Sequence, residues 1–180
     1  MRIFLVGVSC VGKTTLGDQL AALRGVPFFD LDAELERFYQ RPIGRIQAES
    51  GTMDSYRRKA SKVLAGLLTS EQSRDCVIAL PPSGLMGSYW KTVKAANGVV
   101  VVLTDTPENI VERVAFYDQD SRPLNRLLTK DQERTCISEI RKDMAYFRRS
   151  YGKANLAVDI AGLRPAEAAA KLNEVLSHRG

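Results

Sequence analysis

Gly7-Val8-Ser9-Cys10-Val11-Gly12-Lys13-Thr14 is the stretch on which the reading of this chain turns. Its spacing is G-x-x-x-x-G-K-[ST] with no substitution. Ile3-Phe4-Leu5-Val6 precedes it, an apolar run that predicts a buried strand. Thr15 to Leu23 follows, with Leu16, Leu20 and Leu23 at helical spacing. Strand, glycine loop and helix is the context in which this spacing makes a phosphate site. The glycines let the backbone turn its N–H groups inward on an anion, and the helix start adds unpaired N–H groups and a positive dipole end. Gly7, Ser9, Cys10, Val11, Gly12, Lys13, Thr14 and Thr15 are therefore expected around a nucleotide's phosphates. Lys13 is expected at the β and γ phosphates and the Thr14 hydroxyl on Mg²⁺.

Around that loop, 180 residues predict one domain with a substantial core. No apolar run reaches the length of a membrane span, so no membrane partner is expected. The chain passes directly into its first strand, which leaves no room for a leader. Cys10, Cys76 and Cys136 are scattered and odd in number, giving neither a disulfide framework nor a metal spacing. A reducing cytoplasm and a monomer are the expectation. The only histidine, His178, sits near the end of the chain and argues against histidine catalysis. The formal charge is +5, and positive charge concentrates between Arg113 and Lys153. Aromatic residues do not interleave with it as a base-stacking platform needs, so a small anionic ligand is favoured over nucleic acid.

The elements alternate along the chain. Val26–Asp30 reads as a second strand and Asp32–Tyr39 as a helix, broken at Pro42. A short helix near Ile43 and a longer one from Asp54 to Leu68 follow, the latter with Tyr56, Ala60, Val63, Leu64 and Leu67 as its apolar stripe. Cys76–Leu80 is a buried strand ending at Pro81-Pro82, followed by a helix around Tyr89–Ala96. Val99–Leu103 is apolar throughout, as a central parallel strand is. Thr106 caps the next helix with Pro107 in its first turn. Residues 118–130 are polar without a period, 131–146 are helical, and Leu156–Ile160 is the last strand before an Ala-rich helix. The expected fold is α/β in three layers, with a five-stranded parallel sheet whose carboxyl ends hold the ligand.

Three further groups carry chemistry. Asp30 and Asp32 end the second strand. Two carboxylates beside a triphosphate suit Mg²⁺ for Asp30 and orientation or deprotonation of an attacking hydroxyl for Asp32, which also suits a helix cap. Arg57 and Arg58 open a helix, against its dipole, which an acidic substrate would favour. Ser121-Arg122-Pro123-Leu124 places an arginine in the polar stretch, as a lid over phosphates requires.

With these positions on the page, the chain resembles the shikimate kinases, P-loop kinases of the nucleoside-monophosphate-kinase type. The resemblance runs from Met1 to about Leu176. It rests on the loop, Phe29-Asp30-Leu31-Asp32, the phrase from Gly51 to Arg57, Arg122-Pro123-Leu124, and Tyr151 with its flanking arginines. It implies a P-loop kinase domain over 1–180, a lid at 118–130 and a substrate-binding helical segment at 31–70. It implies ATP and Mg²⁺, catalytic roles for Lys13, Asp32 and the lid arginine Arg122, and Thr14 and Asp30 near the metal. Arg113 and Pro165 are the implied nucleotide contacts beyond the loop. Asp32, Arg57, Pro82, Ser83, Gly84 and Arg148 are the implied substrate contacts, Arg57 on a carboxylate. Pro81-Pro82-Ser83-Gly84 stands where the family has three glycines, Ala60 where it has a glutamate, and Phe147 where it has a second carboxylate arginine, with Arg148 one place away. The implied reaction is phosphorylation of a small carboxylated polyol, shikimate first. A same-fold kinase for gluconate or a nucleoside, and a non-catalytic nucleotide-binding regulator, stay open.

Overall fold

The computed structural model describes residues 1–118, 120–124 and 127–178. Five strands make one parallel sheet: β1 (Arg2–Val6), β2 (Phe28–Asp30), β3 (Cys76–Ala79), β4 (Val99–Thr104) and β7 (Leu156–Asp159), in the order β2-β3-β1-β4-β7. β1 lies at the centre, with Phe4 opposite Ile78 on one side and Val100 on the other. Its four apolar residues, Ile3 to Val6, are fully buried, as a strand covered on both faces must be.

Helices cover the two faces and divide the core. Ile3, Leu5, Val101 and Leu103 pack with Leu16 and Leu20 of α1 (Lys13–Arg24) and with Leu172 and Leu176 of α8 (Pro165–Ser177). Phe4, Val6, Ile78 and Val102 pack with Leu31 and Leu35 of α2 (Leu31–Tyr39), with Tyr56 and Leu64 of α4 (Met53–Thr69), and with Tyr89 of α5 (Gly87–Ala95). The alternation of side chains along each strand assigns them to these two faces. A short α3 (Ile43–Glu49) links α2 to α4. Arg2 ties three helix and turn ends together, donating to the carbonyls of Leu68, Ser73 and Ala96.

The expected helices and strands are present with small changes of boundary. α6 (Pro107–Val111) starts at the Thr106 cap, whose hydroxyl accepts from Asn109 N–H at 3.2 Å. α7 (Lys130–Tyr151) runs beyond the expected end because Phe147 and Ser150 are buried against the body. A small antiparallel hairpin, β5 (Phe116–Tyr117) with β6 (Pro123–Leu124), leads into the polar stretch. Two-residue strands give no periodic signal, so sequence reading had no means to find them. Gln119, Asn125 and Arg126 of the expected lid segment lie outside the described residues.

The glycine loop is seated by a close approach. Gly7 has φ of 151°, and a Cβ there would sit 2.8 Å from the Leu103 carbonyl oxygen and 2.9 Å from Val11. Gly12 has φ of 106° and precedes α1. Gly7→Ala is expected to lower stability by about 1–3 kcal/mol and to abolish the rise in melting temperature on adding nucleotide. A variant that melts like wild type, with and without nucleotide, contradicts that seating.

Candidate active site

The carboxyl edge of the sheet opens into a cleft of about 500 Å³. Ser9, Cys10, Gly12, Lys13, Thr14 and Thr15 line one side, and Asp30 and Asp32 the floor. Pro81 and Pro82 form another wall, and Arg113, Ala115 and Tyr117 the roof. Cys10 holds φ of 59°, a left-handed backbone that helps turn the loop's N–H groups to one side.

Asp30, rather than Asp32, caps α2. Its carboxylate accepts from Asp32 N–H at 3.0 Å and from the Thr14 hydroxyl at 2.6 Å. That leaves the Asp32 side chain free of cap duty. Asp32 is largely desolvated, and its buried Oδ1 has no hydrogen-bond partner among the described residues. Desolvation first, then the neighbouring charge of Asp30, pushes its carboxyl up to about 6, against the pull of Lys13. Lys13 is desolvated in turn, which brings its ammonium down to about 8, opposed by Asp32 and Asp30. Near pH 7 it keeps its charge. Its Nζ donates to the carbonyls of Gly7 at 3.0 Å and Val8 at 2.9 Å, so the lysine lies along its own loop.

The structure separates the other expected residues. Arg57 is half-buried on α4, makes no ion pair among the described residues, and has a buried Nε without a partner. It lies close to Tyr89 and does not line the cleft. Ser83 and Gly84 turn away: Gly84 N–H is spent on the Pro81 carbonyl at 2.8 Å, and the Ser83 carbonyl on Met86 N–H at 2.9 Å. The prolines leave that turn without two N–H donors, so it closes on itself. Arg148 lines a different cavity, of about 490 Å³, with Val102, Met144 and Tyr151, while Phe147 is in the core and stacks on Tyr151. Pro165 is exposed in the first turn of α8, away from the cleft lining.

Arg113 reaches the cleft but is held there by Asp105, whose buried carboxylate pairs with it. The same carboxylate accepts from Thr106 N–H and the Asn109 side chain, both at 2.7 Å. Burial disfavours ionising Asp105, and these donors together outweigh it, holding its carboxyl below the usual range. Arg122 is exposed beside the hairpin, its backbone bonded to Asp118. The hairpin is tied to the α2–α3 elbow: Ser121 donates to Glu36 at 2.6 Å, and Arg45 pairs with Asp120 at 2.6 Å. Glu36 and Arg45 carried no sequence signal for this, because the bonds join residues 85 apart in the Ser121 case. The Asp105 anchor was legible only as a carboxylate at a strand end.

Oxygen donors meet where a hard cation is expected. The Thr14 hydroxyl and the Asp30 carboxylate are adjacent, and no cluster of three or more metal-ligating side chains exists among the described residues. That donor set suits Mg²⁺, which takes one or two protein oxygens with waters and phosphates.

The comparisons with known proteins bear on the family and the fold. The family model of shikimate kinase matches residues 9–177. The chain belongs to the shikimate kinase family. A shikimate kinase from Cereibacter sphaeroides is 30% identical over 177 residues, covering 98% of this chain and 83% of that protein. One from Chlorobium phaeobacteroides is 32% identical over 140 residues, covering 78% of this chain and 66% of its own. Among solved structures, shikimate kinase from Acinetobacter baumannii in complex with shikimate superposes with a TM-score of 0.78 at 26% identity, over 99% of this chain and 93% of that one. Members of this family are phosphotransferases acting on a hydroxyl, with ATP as a substrate.

Asp105→Asn is expected to cost about 2–3 kcal/mol near neutral pH, because Arg113 and two donors lose a charged partner. Asp105 has a depressed folded-state value. Its contribution is therefore full above the unfolded carboxylate value of about 3.9 and fades as pH falls through the lower folded one. Urea melts should show the gap between wild type and variant narrowing below about pH 4; a constant gap contradicts the ionised pair.

Proposed function

We propose that this chain transfers the γ-phosphoryl group of ATP to a hydroxyl of shikimate or a closely related carboxylated polyol. The observation that carries the reading is Asp32: a desolvated carboxylate, relieved of capping by Asp30, on the floor of the cleft beside the half-buried Lys13. Such a group is placed to orient an acceptor hydroxyl and to take its proton as the oxygen attacks the γ-phosphorus. The bond from the γ-phosphorus to its bridging oxygen breaks, and ADP leaves. Lys13 and the loop N–H groups neutralise charge that gathers on the phosphate oxygens. Thr14 and Asp30 would hold Mg²⁺, which would supply positive charge against the phosphates.

In this reading Arg57, half-buried on α4 and without an ion pair among the described residues, pairs with the acceptor's carboxylate. The helical segment 31–70 supplies the acceptor side and 118–130 acts as a lid carrying Arg122 over the phosphate. The bonds from Ser121 to Glu36 and from Asp120 to Arg45 support that pairing of segments. Three free thiols fit a reducing cytoplasm.

An ADP-release assay with shikimate, gluconate and nucleosides tests the reaction. Shikimate or a carboxylated relative should be the preferred acceptor. Arg57→Lys keeps charge but loses the planar fork. It should raise the acceptor KM roughly ten- to a hundredfold and leave the KM for ATP unchanged. A preferred acceptor without a carboxylate removes both the substrate and the role of Arg57.

A further inference from the structure

Buried polar side-chain atoms without a hydrogen bond are few in folded proteins, and each asks for a reason. Here three of them gather beneath the cleft: Asp32 Oδ1, the Tyr56 hydroxyl and the Tyr89 hydroxyl. Tyr56 is 2% exposed and Tyr89 is fully buried, on the packed helices α4 and α5. The Tyr56 hydroxyl lies near Asp32, Gln47 and Tyr89, short of good geometry with any of them. Tyr89 neighbours Tyr56, Asp32 and Arg57. A core that wanted only apolar volume at these two positions needs no hydroxyls.

Tyr56 lies between the other two, near both Asp32 and Tyr89, and the donors can be counted along that order. A phenol donates one hydrogen and accepts others; an ionised carboxylate only accepts. If Tyr89 donates to Tyr56 and Tyr56 donates to Asp32, two bonds satisfy all three orphaned oxygens. We propose that Tyr89 and Tyr56 form a donor chain that ends on Asp32 and fixes its carboxylate for the acceptor hydroxyl. Both tyrosines are proposed as positioning residues: they are buried on α4 and α5 and outside the cleft lining. Tyr56 acts on Asp32 directly, and Tyr89 acts through Tyr56. Hydrogen bonds in such a chain polarise one another, so the outer phenol strengthens the inner one. The inference rests on the reading of Asp32 as the group that holds the acceptor hydroxyl.

The test uses Tyr56→Phe, Tyr89→Phe, the double variant and Asp32→Asn in the full chain, with MgATP and shikimate. Phenylalanine keeps the ring and removes only the hydroxyl. Tyr56→Phe should lower kcat about tenfold, as loss of one bond to a charged group does, and leave both KM values unchanged. Tyr89→Phe should lower kcat less, and the double variant should match Tyr56→Phe, because Tyr89 has no route to Asp32 once Tyr56 is silent. Additive losses, or Phe variants with wild-type kcat and only a lower melting temperature, overturn the chain. Should Tyr56→Phe fail to fold, Tyr89→Phe decides alone by its kcat. Asp32→Asn separates the two readings. If it keeps wild-type kcat, the role of Asp32 itself falls and the chain with it; if it loses kcat while both Phe variants do not, only the chain falls.

Discussion

The site depends on a lysine taken out of water at the first turn of a helix. Lys13 sits where the dipole of α1 already favours anions, so its charge and the helix end add rather than cancel. Desolvation lowers its ammonium toward 8, and Asp32 and Asp30 limit the fall. A half-buried cation whose Nζ donates to the Gly7 and Val8 carbonyls is poised toward a stronger acceptor. The glycines make that placement possible, because a side chain at Gly7 would collide with the backbone of β4.

Two aspartates one residue apart then divide their work. Asp30 closes the start of α2 and binds the Thr14 hydroxyl, so it stays at the edge where a cation is expected. Asp32, in the first turn of the helix, is half-buried on the cleft floor near Tyr56 and Tyr89. Desolvation first, and then the charge of Asp30, raises Asp32. A carboxylate with a raised value is suited to accept a proton. The wall of the cleft at Pro81-Pro82, by contrast, is stiff: its turn spends Gly84 N–H on itself.

The alternation of strands and helices was legible because each long element carries its own period and its own cap. The phosphate loop was legible from eight residues, since backbone geometry at that spacing leaves few alternatives. The family followed from local phrases such as Asp30-Leu31-Asp32 and Arg122-Pro123-Leu124. What stayed hidden depends on long-range placement. Tyr56 read as a residue of an apolar stripe and Tyr89 only as part of a helix, and neither reading says where a hydroxyl points. Arg148 was expected at the acceptor, yet the turn of α7 that buries Phe147 directs it to a separate cavity. The capping role fell to Asp30, though Asp32 suited it equally by type.

Calorimetric titration of MgATP into wild type and Lys13→Ala tests most directly whether the loop and its half-buried lysine make the phosphate site. The account predicts tight binding to wild type and a folded variant that binds roughly ten- to a hundredfold more weakly, from losing a charged hydrogen bond to phosphate. Equal affinity in a folded Lys13→Ala protein would contradict it.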